Sequence, residues 1–89
     1  MREAVIVDTC RTPLCKSFRG SFNMTRADDL AAHTIAELLK RVPQLNPADV
    51  EEVIFGCGFP EGPQGMNVAR IAALRAGIPV TTAAMAVNR

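Results

Sequence analysis

Apolar and polar positions change period several times along this chain, and each change predicts an element. Ala4 to Asp8 is an unbroken aliphatic run closed by an acid. Unbroken apolarity, rather than alternation, predicts a strand buried on both faces of a parallel sheet. Arg11-Thr12-Pro13 marks a turn, because proline holds the residue before it extended. Leu14 to Met24, with Gly20 inside, reads as a loop. From Thr25 the pattern becomes helical. Thr25 is the expected N-cap, with Asp28 three residues on as a weak capping-box partner. At 100° per residue Ala31, Ile35, Leu38, Leu39 and Val42 share one face, and His33, Glu37 and Lys40 share the other. Asp28 and Asp29 in the first turn and Lys40 and Arg41 in the last suit the helix dipole, and Pro43 stops the helix.

Asn46-Pro47-Ala48-Asp49 reads as a turn. Val53-Ile54-Phe55 predicts a second buried strand that runs into Gly56-Cys57-Gly58, followed by a long loop from Phe59 to Met66. A second helix is expected from Asn67, a fair N-cap. Its apolar stripe is Val68, Ile71 and Leu74, and Ala69, Ala72, Ala73 and Ala76 permit close packing. Gly77 suits the C′ position and Pro79 lies just past it. Ala83 to Val87 predicts a third strand. The order β-α-β-α-β, with right-handed crossovers, gives an α/β class and a parallel sheet. Three such strands need helices on both faces, and only two helices are present, so the sheet is expected to be incomplete.

Composition narrows the picture. The chain has 89 residues, 48% hydrophobic and 21% charged, with four Phe and no Trp or Tyr. That suits one small unit, residues 1–89, with an aliphatic, alanine-rich core. The net charge of +1 comes without the dense basic cluster of a nucleic-acid footprint. No run is long enough for a membrane span or a signal peptide's apolar region, and no leader pattern is present. The expectation is a soluble, cytoplasmic protein with neither a nucleic-acid nor a membrane partner.

Few residues carry chemistry on their own. Cys10, Cys15 and Cys57 are an odd count without a secretion signal, which argues against a disulfide framework. With His33 as the single histidine, the ligand count and spacing do not make a metal site. GCGFPEGPQG joins a strand to a helix, as dinucleotide-binding loops do, but Glu61 stands in the third glycine's place. The free N–H groups after Asn67 suit an anion, or the Asn67 side chain itself. Cys57 follows a strand and is either a nucleophile or a structural thiol. No Cys/His or Ser/His pair is legible from spacing.

Four stretches resemble the N-terminal part of the thiolase family: EAVIVDTCRTPLCK, RADDLAAH, EEVIFGCGFPEGPQGMNVARIAALRAGIP and AMAVNR. Gln64, Gly65, Asn67, Ala69 and Arg70 at this spacing, then Gly77 and the closing VNR, carry most of the likeness. The resemblance implies a thiolase-fold N-terminal domain and CoA-dependent thiolytic cleavage of 3-ketoacyl-CoA, of the degradative, fatty-acid β-oxidation type. A cysteine thiolate attacks the ketone carbonyl, and coenzyme A then accepts the acyl group from the acyl-enzyme. Coenzyme A is a substrate, no permanently bound cofactor is implied, and the family assembles as dimers or tetramers.

The resemblance places the nucleophilic cysteine just after Arg89, at a helix N-terminus that would favour thiolate. No catalytic residue is therefore expected among residues 1–89. Gln64, Gly65, Asn67 and Arg70 are expected to shape the active-site floor or the dimer interface, and Asn88 and Arg89 to position the nucleophile's turn. For Asn67 and Arg70, plain capping or packing weighs equally. The chain is read as an N-terminal fragment, without the nucleophile helix, loop domain and C-terminal domain, and as inactive alone. A C-terminal arginine suits trypsin-like nicking, and a truncated reading frame is the other explanation. Three rival readings stand beside this one: an isolated interaction module that lends a strand edge to a partner, an acetoacetyl-CoA-forming thiolase, and a ketoacyl-synthase relative.

Overall fold

The computed structural model describes residues 2–89. Helix α1 spans Ala27–Arg41, strand β1 Glu52–Gly56, helix α2 Val68–Arg75 and strand β2 Ala83–Val87, with short 3-10 turns at Pro47–Asp49 and Gly62–Gln64. β1 and β2 pair in parallel, Glu52 opposite Ala83 through to Gly56 opposite Val87. The α/β class and the parallel pairing are as the sequence predicts.

The first predicted strand is a correction. Ala4 to Asp8 forms no ladder, so the described sheet has two strands. An apolar run becomes a strand only when it pairs its amides and carbonyls with a sheet edge, and Ala4 to Asp8 pairs with neither outer edge of the β1–β2 pair. Side-chain bonds tie the end of the segment to α1 instead. Arg41 donates to the Thr9 carbonyl at 2.8 Å and lies 3.5 Å from the Asp8 carboxylate, and the Cys10 thiol donates to the Thr34 carbonyl. Val5, Ile6 and Val7 border an apolar groove with Ile35, Leu38, Leu39 and Val42.

Burial on both faces of the sheet is a second correction. Exposure alternates along both strands. Val53, Phe55, Ala84 and Ala86 are the half-buried set, and Phe55 packs on the cluster of Ala31, Ala32 and Ala72. Ile54, Met85 and Val87 point to the open face. With one helix layer, only one face is covered.

Helix α1 starts one residue later than predicted. Arg26, not Thr25, holds the N-cap position, and no side chain caps it. The Asp28 carboxylate is taken instead by the Arg26 guanidinium in a two-bond fork, at 3.1 and 3.0 Å. The fork holds the buried Asp28 carboxyl below the usual aspartate range. Lys40, bonded to Glu37 at 3.0 Å, lowers that carboxyl likewise. His33 is exposed, as the stripe predicts.

Helix α2 bears out its predicted ends. The Asn67 side chain accepts from the Arg70 N–H, and Gly77 takes φ +93°. The amides of Gly77 and Ile78 close back on the carbonyls of Leu74 and Ala73, a Schellman stop. Its buried side keeps Val68 and the alanines expected to pack closely, and departs from the predicted stripe at Ile71 and Leu74. Ala69, Ala72 and Ala73 are buried with Val68, whereas Leu74 is exposed and Ile71 half-buried. Lying against both α1 and the sheet, α2 turns its methyls inward, because small side chains permit close approach on two sides. Arg75 Nε, 2.7 Å from Asp29 Oδ1, adds an ion pair between the helices.

Ala72→Leu is expected to destabilise the fold by about 1–3 kcal/mol through overpacking, read from the urea midpoint. Leu74→Ala, on the exposed side, should cost less. For Asp28, the folded pKa lies below the unfolded one. Its contribution is therefore full above the unfolded value of about 3.9 and is lost as pH falls through the folded value. The stability difference between the native chain and Asp28→Asn should shrink below about pH 4.

Candidate functional site

The predicted site residues fall at opposite ends of β2. Asn67 and Arg70 work at its amino end. Met66 and Asn67 are consecutive left-handed residues, at φ +54° and +61°. Asparagine tolerates this conformation better than most side chains. The turn aims the Asn67 amide in two directions. Its oxygen accepts from the Arg70 N–H at 3.3 Å, and its nitrogen donates to the Ala84 carbonyl at 3.0 Å. One helical turn on, the Arg70 guanidinium donates to the Thr82 carbonyl at 2.7 Å and to the Val80 carbonyl at 2.9 Å. Two backbone carbonyls leading into β2 and one inside it are thus gripped by two side chains from the start of α2. The buried Thr82 hydroxyl donates in turn to the Val50 carbonyl at 3.1 Å, which joins the same segment to the entry of β1.

Gln64 lies at the other end. Its amide nitrogen donates to the Phe59 carbonyl at 2.8 Å and closes the loop after β1. It shares a pocket with Phe55, Cys57, Phe59, Ala31 and Val68 at the carboxyl end of β1. Gly65 follows, where an added Cβ would stand 3.2 Å from the Gly62 carbonyl oxygen, so the turn is tight. The Cys57 N–H donates to the Val87 carbonyl at 2.9 Å, beyond the last strand pair. Asn88 and Arg89 are exposed and leave β2 one step past that bond. Asn88 lies four residues past Ala84, about 13 Å along an extended strand. Asn67 and Arg70 are therefore brought together, and Asn88 and Arg89 stand apart from them.

The sequence identifies the Asn67 cap but not its second bond, nor the carbonyls that Arg70 holds. Their partners are main-chain atoms 10 to 17 residues away, and a carbonyl leaves no mark on residue type.

The cysteines take unlike environments, and all are free. Cys10 donates to a helix carbonyl. Cys15 lies 3.2 Å from the Ser21 hydroxyl, which pulls its thiol below the usual value, together with the Phe22 and Ser21 amides. Cys57 is half-buried just past the end of β1, in the pocket that Ala27 and Val68, the first residues of α1 and α2, also line. Among the described residues no group of three His, Cys, Asp or Glu side chains is placed to hold a metal ion.

The family described as "Thiolase, N-terminal domain" matches residues 4–89, which take in every element above. The chain belongs to the thiolases. Curated relatives agree along its whole length. The 3-ketoacyl-CoA thiolase of Vibrio vulnificus (strain YJ016) is 48% identical over 89 residues, 100% of this chain and 23% of that protein. Those of Photobacterium profundum and Shewanella frigidimarina are each 49% identical over the same share. This thiolase chain thus spans 23% of the length of the relatives it matches.

Arg70→Ala in this thiolase chain removes two charge-assisted bonds and is expected to cost about 2 kcal/mol of unfolding free energy. Asn67→Ala should cost about 1–2 kcal/mol, from the lost cap and the left-handed backbone together. Asn67→Gly should cost less, because it keeps the backbone and loses only the side-chain bonds. Urea unfolding of the three variants separates these terms.

Proposed function

We propose that this chain is the opening part of the N-terminal domain of a 3-ketoacyl-CoA thiolase, an acetyl-CoA acyltransferase of fatty-acid β-oxidation. The observation that carries this reading is the 47–49% identity, along the whole chain, to proteins bearing that name. The substrates are a 3-ketoacyl-CoA and coenzyme A, with no permanently bound cofactor. The nucleophile is a cysteine just after Arg89, at the start of the next helix. Its thiolate adds to the 3-keto carbon, the bond between C2 and C3 breaks, and acetyl-CoA leaves once C2 is protonated. The acyl group remains as a thioester on the cysteine until the thiol of a second coenzyme A takes it and the cysteine is freed.

In this reading residues 1–89 are scaffold. Asn67 and Arg70 fix the segment that leads into β2, and β2 delivers Asn88 and Arg89 to the nucleophile's turn. Gln64 and Gly65 shape the loop beside that turn, on the active-site floor or at a subunit contact. The rest of the thiolase polypeptide supplies the nucleophile helix, the loop domain and the C-terminal half. The working protein is a cytoplasmic homodimer or homotetramer. Cys10, Cys15 and Cys57 take no covalent part.

The test is thiolysis of a 3-ketoacyl-CoA, followed as its loss on addition of coenzyme A. Protein from the complete reading frame is expected to turn over, and residues 1–89 alone are expected to be inert. Changing Cys57 to Ser should leave turnover within about twofold, whereas a nucleophile at that position would lose several orders of magnitude. Thiolysis by residues 1–89 alone would overturn the placement of the nucleophile.

A further inference from the structure

We propose that Gln64 is a positioning residue for the nucleophile, acting through the last main-chain bond that β2 accepts before Asn88 and Arg89. The proposal rests on the reading above, in which a cysteine just after Arg89 takes the acyl group. Gly56 opposite Val87 is the final pair of the ladder. One bond lies past it, from the Cys57 N–H to the Val87 carbonyl at 2.9 Å. The carbonyl that leads to Asn88 is thus held by an amide of the loop after β1. Where that loop sits decides where β2 releases the chain.

Within the described residues, packing does little to hold the loop. Gly58 to Pro63 are exposed, and a Cβ added at Gly58 or Gly62 would meet nothing within 4 Å. Its shape comes from hydrogen bonds along its own main chain. The Glu61 amide donates to the Phe59 carbonyl at 2.9 Å, the Gln64 amide to the Glu61 carbonyl at 3.0 Å, and the Gly65 amide to the Gly62 carbonyl at 3.0 Å. Gln64 adds a side chain to this set. Its Nε2 donates to the Phe59 carbonyl at 2.8 Å, so that oxygen accepts twice. Gln64 is half-buried and lines the pocket with Ala27 and Ala31 of α1 and Val68 of α2. One side chain therefore ties the loop to the helix layer, and its bond ends two residues from the amide that holds Val87. Without that bond the loop is free to swing, and the Cys57 N–H swings with it. A shift of about 1 Å at a reacting group costs on the order of a hundredfold in rate. A single neutral bond contributes little to folding, so the loss falls on placement rather than stability. These bonds lie inside the chain and act whatever covers the loop in the longer protein.

The test uses protein from the complete reading frame. Gln64→Met keeps the volume and removes the donor, and Gln64→Glu sets a carboxylate against the Phe59 carbonyl. Both are expected to lower kcat for thiolysis by about tenfold or more and to leave KM within about twofold. Alkylation of the cysteine after Arg89 by iodoacetamide, read by peptide mass spectrometry, should need a higher pH in both variants. The reason is that a displaced thiolate loses the helix end that favours it. The urea midpoint should barely move. Variants that match the native protein in kcat and in alkylation profile would overturn the positioning role. A rise in KM at unchanged kcat would also overturn it, since that marks a substrate or subunit contact, and so would a fall in kcat matched by a fall in the urea midpoint. If the native protein does not cleave a 3-ketoacyl-CoA, the catalytic reading fails, and the alkylation profiles still decide the role of Gln64.

Discussion

The close approach of α2 to its neighbours sets the arrangement of the rest. Ala69 and Ala72 are fully enclosed and Ala73 nearly so, which is possible only because methyl groups face both α1 and the sheet. Each methyl contributes little, about 0.8 kcal/mol on burial. Their smallness matters more than their hydrophobicity, because it brings the start of α2 within hydrogen-bond reach of the chain entering β2. Asn67 and Arg70 then convert that proximity into fixed geometry. A larger residue on this face would lift the helix, and the grip on Val80, Thr82 and Ala84 would lengthen with it.

Local signals made α2 legible. A capping asparagine, a glycine at C′ and a proline beyond it act within a few residues of where they stand, so both ends of the helix fall where the sequence puts them. β1 and β2 were legible for a related reason, since each is a short apolar run bounded by turn residues. The side that α2 buries was legible only in Val68 and the close-packing alanines. Hydropathy favours Ile71 and Leu74 over alanine, but a helix sandwiched between two surfaces selects for volume. Ala4 to Asp8 failed in the opposite way. Its composition is that of a strand, yet a strand is a relation between two segments, and composition reports on only one of them.

The candidate site divides along the same line. The Asn67 cap is a local bond and could be anticipated. The Ala84 bond and the two Arg70 bonds end on main-chain oxygens far along the sequence, and no side chain announces them. Family likeness singled out Asn67 and Arg70 as residues of interest, and the geometry supplies a physical task for each. The Arg75–Asp29 pair between the helices is exposed on both sides and adds little to stability, whereas the Arg26–Asp28 fork at the start of α1 ends on a buried carboxylate. They orient the ends of the helices rather than hold them together.

Parallel pairing also sets an order of events in time. Glu52 must wait for Ala83, and the whole of α2 and its flanking loops is made between them. During synthesis β1 emerges with both edges open and stays so until the crossover is complete. Closure of so long a loop is slow, and an apolar strand waiting for its partner is open to wrong pairing. The alanine face of α2 has a second use in that interval. Made before β2, it can dock on α1 first and so hold the returning chain beside β1 before a single sheet bond has formed.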